Sequence, residues 1–334
     1  MMQKFGPVFV GAGALNFFGQ GWPIHQFYKS FRGFDFTGST FISKTVTFPS
    51  RMIKPGEEGK GRGNLVLNPV TLQPEEIKPD CIKTYFLSGD ILNAIGLSGP
   101  GAKILFEMEE WQKITQPFGI SFEATGGSKW QRLYEAKRFT EIFKKHLPSF
   151  RAPVFLEVNT SCPSLENCSV SLIEESAEHL EITSLLGIPQ GIKINALTPH
   201  KSVKYVINSG FCNFIDIPNS LPFGSLPEKI NWRKKFGKVS PLARYGGGGY
   251  SGQINFELAA EWTKKARRKG IDIPIILGGV FSKKDVHIAK KAGANAISFA
   301  RVTLLRPWRV KGIIEEAYRV FGDGKGDAKT ILKI

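Results

Sequence analysis

Eight short β-prone runs, at about 8–12, 40–46, 118–122, 154–159, 190–194, 213–218, 274–278 and 295–299, limit the folds open to this chain more than any other feature of it. Several are apolar throughout, the pattern of strands in a sheet covered on both faces. Helical patterns fill the intervals. In 253–269, Phe256, Ala259, Ala260, Thr263 and Ala266 recur at helical spacing and predict one buried stripe opposite a basic face. Ser282 and Asp285 stand at capping-box spacing and predict a helix start after the seventh run. Strands alternating with helices make an α/β fold, and eight such strands predict a (β/α)8 barrel, the TIM barrel architecture. No Ser/Pro-rich linker or strong repeat divides the sequence, so a single domain over 1–334 is expected, with a long loop insertion at about 221–250. The competing architecture, a doubly wound open sheet, calls for a G-x-G-x-x-G turn after its first strand. The turn here, VGAGALNFFG, has Gly11 and Gly13 but no glycine at 16.

Composition narrows the function classes. No apolar run approaches the eighteen residues or so of a membrane span, and the N-terminus, MMQKFGPVFVGAGAL, lacks the charge and the unbroken apolar stretch of a leader, so a cytoplasmic protein is expected. The four cysteines, Cys81, Cys162, Cys168 and Cys212, form no CxxC pair and no zinc spacing with histidine, so neither a disulfide framework nor a metal site is expected. Forty-five basic against 29 acidic residues leave a net charge of +16, which suits an anionic partner: a phosphate-bearing cofactor, an acidic substrate, an acidic protein or nucleic acid. The basic clusters, such as Lys264-Lys265 and Lys290-Lys291, are scattered in the manner of solvated helix faces, so no specific nucleic-acid groove is expected.

In a barrel the chemistry sits at the C-terminal strand ends. Those positions hold Ala12-Gly13, Lys44-Thr45, Asn159 with Cys162, Lys193, Asn219-Ser220, Gly278-Gly279 and Ala300-Arg301. A lysine in the middle of a strand, as in GIKIN, must point inward and meet an anion or point outward into apolar helices at considerable cost, so Lys193 is read as inward and functional. Gly278-Gly279 could be a tight turn alone, but after strand seven such a turn commonly offers backbone N–H groups to a phosphate, and Arg301 adds charge beside it. A lone buried cysteine is usually a small hydrophobe; Cys162 gains interest from its polar neighbours. The run Tyr245–Gly252 ends in Ser251-Gly252, where a helix opens with N–H donors free for an anion, although glycine runs are also mere hinges.

The motifs PVFVGAGAL, ISKT, RGN, NAIGL, VNTSCP, GIKIN, PNS, GGGGYSG and ILGGV occur in that order over about residues 5–310. With them the chain resembles the dihydroorotate dehydrogenase family of FMN-dependent barrels, and looks most like the soluble, class 1-like members that use a cysteine base. The resemblance implies that FMN is held by Ala12, Gly13, Lys44, Thr45, Asn159 and Lys193, and by Ser251, Gly252, Gly278, Gly279, Ala300 and Arg301. It implies a pyrimidine substrate held by Lys44, Asn93, Ile95, Gly96, Leu97, Asn159, Asn219 and Ser220, with Cys162 as general base and Lys193 beside the flavin. It also implies a homodimer, and it leaves the electron acceptor open between fumarate, NAD through a partner subunit, and quinone. Three departures stand out: Ser164 where the family usually has asparagine, Ala300-Arg301 where it usually has Gly-Thr, and the long segment Arg51 to Arg62. Two related barrels compete, the dihydropyrimidine dehydrogenase catalytic barrel, which acts on uracil-type bases, and tRNA dihydrouridine synthase, for which no separate C-terminal RNA-binding region is evident. A non-enzymatic flavin- or RNA-binding module would leave Cys162, Lys193 and Asn219 on one rim unexplained.

Overall fold

The computed structural model describes residues 2–54, 63–160 and 170–322. Eight parallel strands form one sheet: β1 Val8–Val10, β2 Thr40–Phe41, β3 Phe118–Phe122, β4 Val154–Asn159, β5 Gln190–Lys193, β6 Phe214–Ile217, β7 Ile275–Leu277 and β8 Ala296–Phe299. They pair in the order β2-β1-β8-β7-β6-β5-β4-β3. The parallel bridges Ile42 with Gly119 and Val46 with Phe122 join the two outer strands, so the sheet closes into a (β/α)8 barrel. Each of the eight runs in the sequence is a strand of it. Helices at Lys129–His146, Val170–Thr183, His200–Asn208, Gln253–Arg268, Lys283–Ala292 and Val310–Phe321 cover the outside.

Alternation along each strand sorts the side chains into layers. On β4, Val154, Leu156 and Val158 join the large cluster beneath the helices, while Phe155 belongs to a separate cluster inside the barrel. That inner cluster holds Phe9, Ile42, Phe155, Phe214, Ile276 and Ala296, with Phe5 closing it from below. Phe155 meets Phe5 and Phe214 edge to face, with ring centroids 5.0 and 5.4 Å apart. Two glycines make room for these rings. A Cβ on Gly119 of β3 would lie 2.3 Å from the Phe155 ring, and one on Gly191 of β5 would lie 2.3 Å from Phe214 O and 2.6 Å from its ring. Two residues further along the strands, the interior turns polar: Ser121, Glu157, Lys193, Asp216 and Ser298 are all buried there. An apolar plug at the bottom and a polar floor above it are thus written into the period-two spacing of the same strands.

A second sheet, which the apolar runs did not announce, lies over the rim. It is antiparallel, built from Ile82–Tyr85, Asp90–Asn93, Gly249–Ser251 and Leu221–Pro222 in that pairing order. Segment 221–250 contains two of these strands, a helix at Trp232–Phe236 and a turn of 3-10 helix at Ala243–Tyr245. Leu92, Leu221, Ile230, Trp232, Leu242 and Tyr250 give it a small core of its own. The stretch read as a structureless connection is therefore an ordered part of this covering sheet. Ser282 does precede the helix Lys283–Ala292, but its side chain makes no cap; Asp285 accepts instead from Phe281 N at 2.9 Å.

Candidate active site

A cleft of about 1510 Å³, mouth included, opens between the C-terminal strand ends and the covering sheet. The barrel supplies Ala12, Gly13, Lys44, Thr45, Asn159, Lys193, Asn219, Ser220, Gly278, Gly279, Ala300 and Arg301 to its lining. The covering sheet and the turn after it supply Asn93, Ile95, Gly96, Leu97, Ser251 and Gly252. Every site residue expected from the sequence lines this one cleft except Cys162, which lies outside the described residues together with Ser164. Apolar wall comes from Trp22, Ile82, Ile91 and Ala259, none of which the motifs singled out.

Two turns shape the end of the cleft near β7 and β8. Gly278 packs so tightly that a Cβ would fall 2.5 Å from Pro218, and Gly279 has φ +87°, a left-handed conformation that favours glycine. Arg301 follows β8, is only 5% exposed, and stacks its guanidinium 4.0 Å above the Phe281 ring. Its Nη1 donates to Gly89 O at 2.7 Å, which ties the rim to the covering hairpin, while its Nε has no partner. Arg301 forms no ion pair among the described residues, and burial pulls its pKa down to about 10. Asp285 and Asp90 offset only part of the cost of burying this cation, and an anion held at these glycine turns would relieve it further. The phosphate of FMN fits that description, so the residues present suit the cofactor the resemblance implies.

The floor carries a chain of polar groups. Asn219 Nδ2 donates to Asn159 Oδ1 at 2.8 Å, and Asn159 Nδ2 donates to Glu123 Oε2 at 2.6 Å. Both orientations of the Asn159 amide are thereby fixed, because its oxygen and one hydrogen already have partners. Asn93 Nδ2 reaches Ser220 Oγ at 3.4 Å and Gly249 O at 3.3 Å, and the Ser220 and Ser251 hydroxyls lie 2.8 Å apart. Lys44 sits 5.4 Å from the Phe17 ring centre, buried at the cleft wall. Lys193 Nζ lies 3.7 Å from Glu157 Oε1. Burial pushes the Glu123 carboxyl up to about 8, against the opposing pull of Lys193 and Arg51. Burial, and then the neighbouring Glu157, raise Asp216 well above the carboxylate range.

Glu123, Glu157 and Asp216 were not among the expected site residues. The signal was present: VFLEVN and FIDIPN each place an acid inside an apolar strand, as GIKIN places Lys193. The argument that turned Lys193 inward applies equally to all of them. Inward acids are the natural partners of an inward lysine.

No family model matches the chain. It does resemble curated proteins over most of its length. It is 25% identical over 262 residues, 76% of this chain and 80% of the relative, to the putative dihydroorotate dehydrogenase A (fumarate) of Pediococcus pentosaceus. It is 25% identical over 282 residues, 81% of this chain and 85% of the relative, to the dihydroorotate dehydrogenase B (NAD(+)) catalytic subunit of Desulforamulus reducens. The corresponding subunit of Staphylococcus carnosus is 27% identical over 232 residues, 68% of this chain and 70% of that protein. Over about three-quarters of its length, then, the chain is similar to proteins named dihydroorotate dehydrogenase, at about a quarter identity, and it folds as a closed barrel with a furnished rim.

Proposed function

We propose that the protein oxidises dihydroorotate to orotate in pyrimidine biosynthesis, with FMN as cofactor and Cys162 as general base. The kinship makes it an oxidoreductase of the dihydroorotate dehydrogenase kind. The observation that carries the finer reading is the convergence of two lysines, three asparagine amides and two glycine turns on one cleft.

In this reading Gly278, Gly279, Ala300 and Arg301 hold the phosphate of FMN, Ser251 and Gly252 border it, and Ala12, Gly13 and Thr45 line the barrel side. When bound, FMN supplies a hydride acceptor. Lys193 offers positive charge where negative charge gathers at the pyrimidine edge of the ring. Asn93, Asn159 and Asn219 match the alternating donors and acceptors of a pyrimidine, Lys44 meets its carboxylate, and Ile95, Gly96, Leu97 and Ser220 close around it. Gly96 and Leu97 have φ of 71° and 62°, a turn held from behind by Arg51 Nε donating to Gly96 O at 3.2 Å. Leu97 carries a side chain in a region that side chains avoid, as residues at binding sites often do. Cys162, three residues beyond the end of β4, takes the ring proton from the substrate face opposite the cofactor. Thr160, where that connection begins, donates its backbone N–H and its hydroxyl to Lys193 O at 3.2 and 3.1 Å, so β4 and β5 lead into the site in fixed register.

Relatives named for fumarate and for NAD(+) resemble the chain alike, so the acceptor is not part of this proposal. A homodimer, a cytoplasmic setting and an electron-transfer partner subunit go with the family reading; among the described residues no helix is long and apolar enough to cross a membrane. The test is anaerobic stopped-flow reduction of the purified protein by dihydroorotate. Bound FMN should bleach, and Cys162→Ala should retain FMN yet slow bleaching by roughly 10² to 10⁴. Cys162→Ser should be nearly as slow at neutral pH. FAD in the purified protein, reduction by dihydrouracil-type bases alone, or dihydrouridine formation on tRNA at physiological salt would each replace this reading.

A further inference from the structure

Two buried acids beneath Lys193 have only one donor between them. Glu157 and Asp216 are both 0% exposed, one on β4 and one on β6, two residues along their strands from the Phe155 and Phe214 plug. The two flank one lysine: Asp216 is the cross-strand partner of Lys193, Glu157 Oε1 lies 3.7 Å from Lys193 Nζ, and the charge of Glu157 acts on Asp216. Asp216 Oδ1 accepts from Ser298 Oγ at 3.3 Å, whereas Asp216 Oδ2 and both Glu157 oxygens have no donor. Two carboxylates cannot sit face to face in a dry interior with one lysine near, because the second negative charge would be uncompensated. A single proton between them resolves the arrangement. One oxygen becomes a donor, the pair carries one negative charge, and that charge matches Lys193 Nζ at 3.7 Å.

We propose that Glu157 and Asp216 hold one proton between them and act as positioning residues for Lys193, keeping its ammonium charged and directed at the floor of the cleft. The groups that face the pair are Lys193 from β5 and Ser298 from β8, with Glu123, just past the end of β3, acting on Lys193 and Arg51 acting on Glu123 in turn. That Lys193 borders the flavin rests on the function proposed above; the shared proton does not. A pair of this kind sets the charge beneath the cofactor. While the pair keeps its proton, its single negative charge balances Lys193; once it loses the proton at high pH, a second anion leaves the floor beneath the cofactor net negative.

The test has two arms. The first is infrared spectroscopy of the protein at neutral pH in a Glu123→Gln background, which removes the other protonated acid. A protonated-carboxyl stretch should be present there and vanish when Asp216→Asn, or Glu157→Gln, is added. No such band, or one that survives both additions, would overturn the shared proton. The second arm measures the midpoint potential of the bound flavin against pH. The wild-type potential should fall more steeply toward alkaline pH than that of Asp216→Asn, in which the amide stands in permanently for the protonated acid. Coincident curves would overturn the positioning role. A protein that binds no flavin would instead defeat the functional reading, and the infrared arm would still decide the pair.

Discussion

Changing Glu123 to glutamine should remove a pH dependence of stability that the wild type carries. Glu123 is 5% exposed, accepts from Asn159, and has a pKa raised from 4.5 to about 8, chiefly by burial. The folded protein therefore holds a proton here that the unfolded chain releases above about pH 4.5. Stability from this site is fully present below the unfolded pKa and is lost as pH rises through about 8. The slope over that interval is about 1.4 kcal/mol per pH unit, so the full difference is on the order of 5 kcal/mol. Glutamine is neutral in both states and keeps an acceptor for Asn159. Urea unfolding of the two proteins between about pH 5 and pH 9 should show the wild type losing ground steadily to Glu123→Gln as pH rises. A difference independent of pH would refute the reasoning. It would mean that Lys193 and Arg51 already hold Glu123 as an ordinary carboxylate.

Two further outcomes test the barrel floor and the phosphate end. Gly191→Ala should cost about 1–3 kcal/mol in chemical denaturation, because its Cβ would stand 2.3 Å from a backbone oxygen that cannot yield; an unchanged midpoint would show the interior to be slack. Arg301→Leu should weaken FMN roughly tenfold to a hundredfold in a fluorescence titration while leaving riboflavin, which lacks the phosphate, little affected; equal losses for both would assign Arg301 to the fold through its bond to Gly89.

What the sequence made legible followed from periodicity and from charge in apolar runs. All eight strands were visible because a β-prone run of five to seven residues between helical patterns has few other readings. Lys193 was visible for the same reason that Glu157 and Asp216 should have been. The covering sheet was not, since Ile82–Tyr85 is only partly buried and Leu221–Pro222 is two residues long, too short and too polar to stand out by alternation. The Asn159, Asn219 and Glu123 relay was half legible: motif order named the amides, but only three-dimensional proximity joins β3 to β4 and to the end of β6. Cys162 remains a reading of motif and chain position alone.

The plug beneath the floor explains why an interior this polar can be a device and not a defect. Phe5, Phe9, Phe155 and Phe214 fill the barrel from below, and Gly119 and Gly191 exist to let two of those rings in. Among the described residues every strand flanking Lys193, Glu157 and Asp216 is paired on both sides, and Lys193 faces the cleft. A ligand seated on Lys193 would close that side. Exchange of the floor's proton would then be slower, though not stopped, since a buried proton needs a path to solvent. A prediction follows in the language of binding: flavin affinity should depend on pH with the loss of about one proton, and Asp216→Asn should flatten the dependence. Plugging from below and covering from above thus turn two acids and a lysine, each costly alone, into a charge of fixed sign facing the reaction.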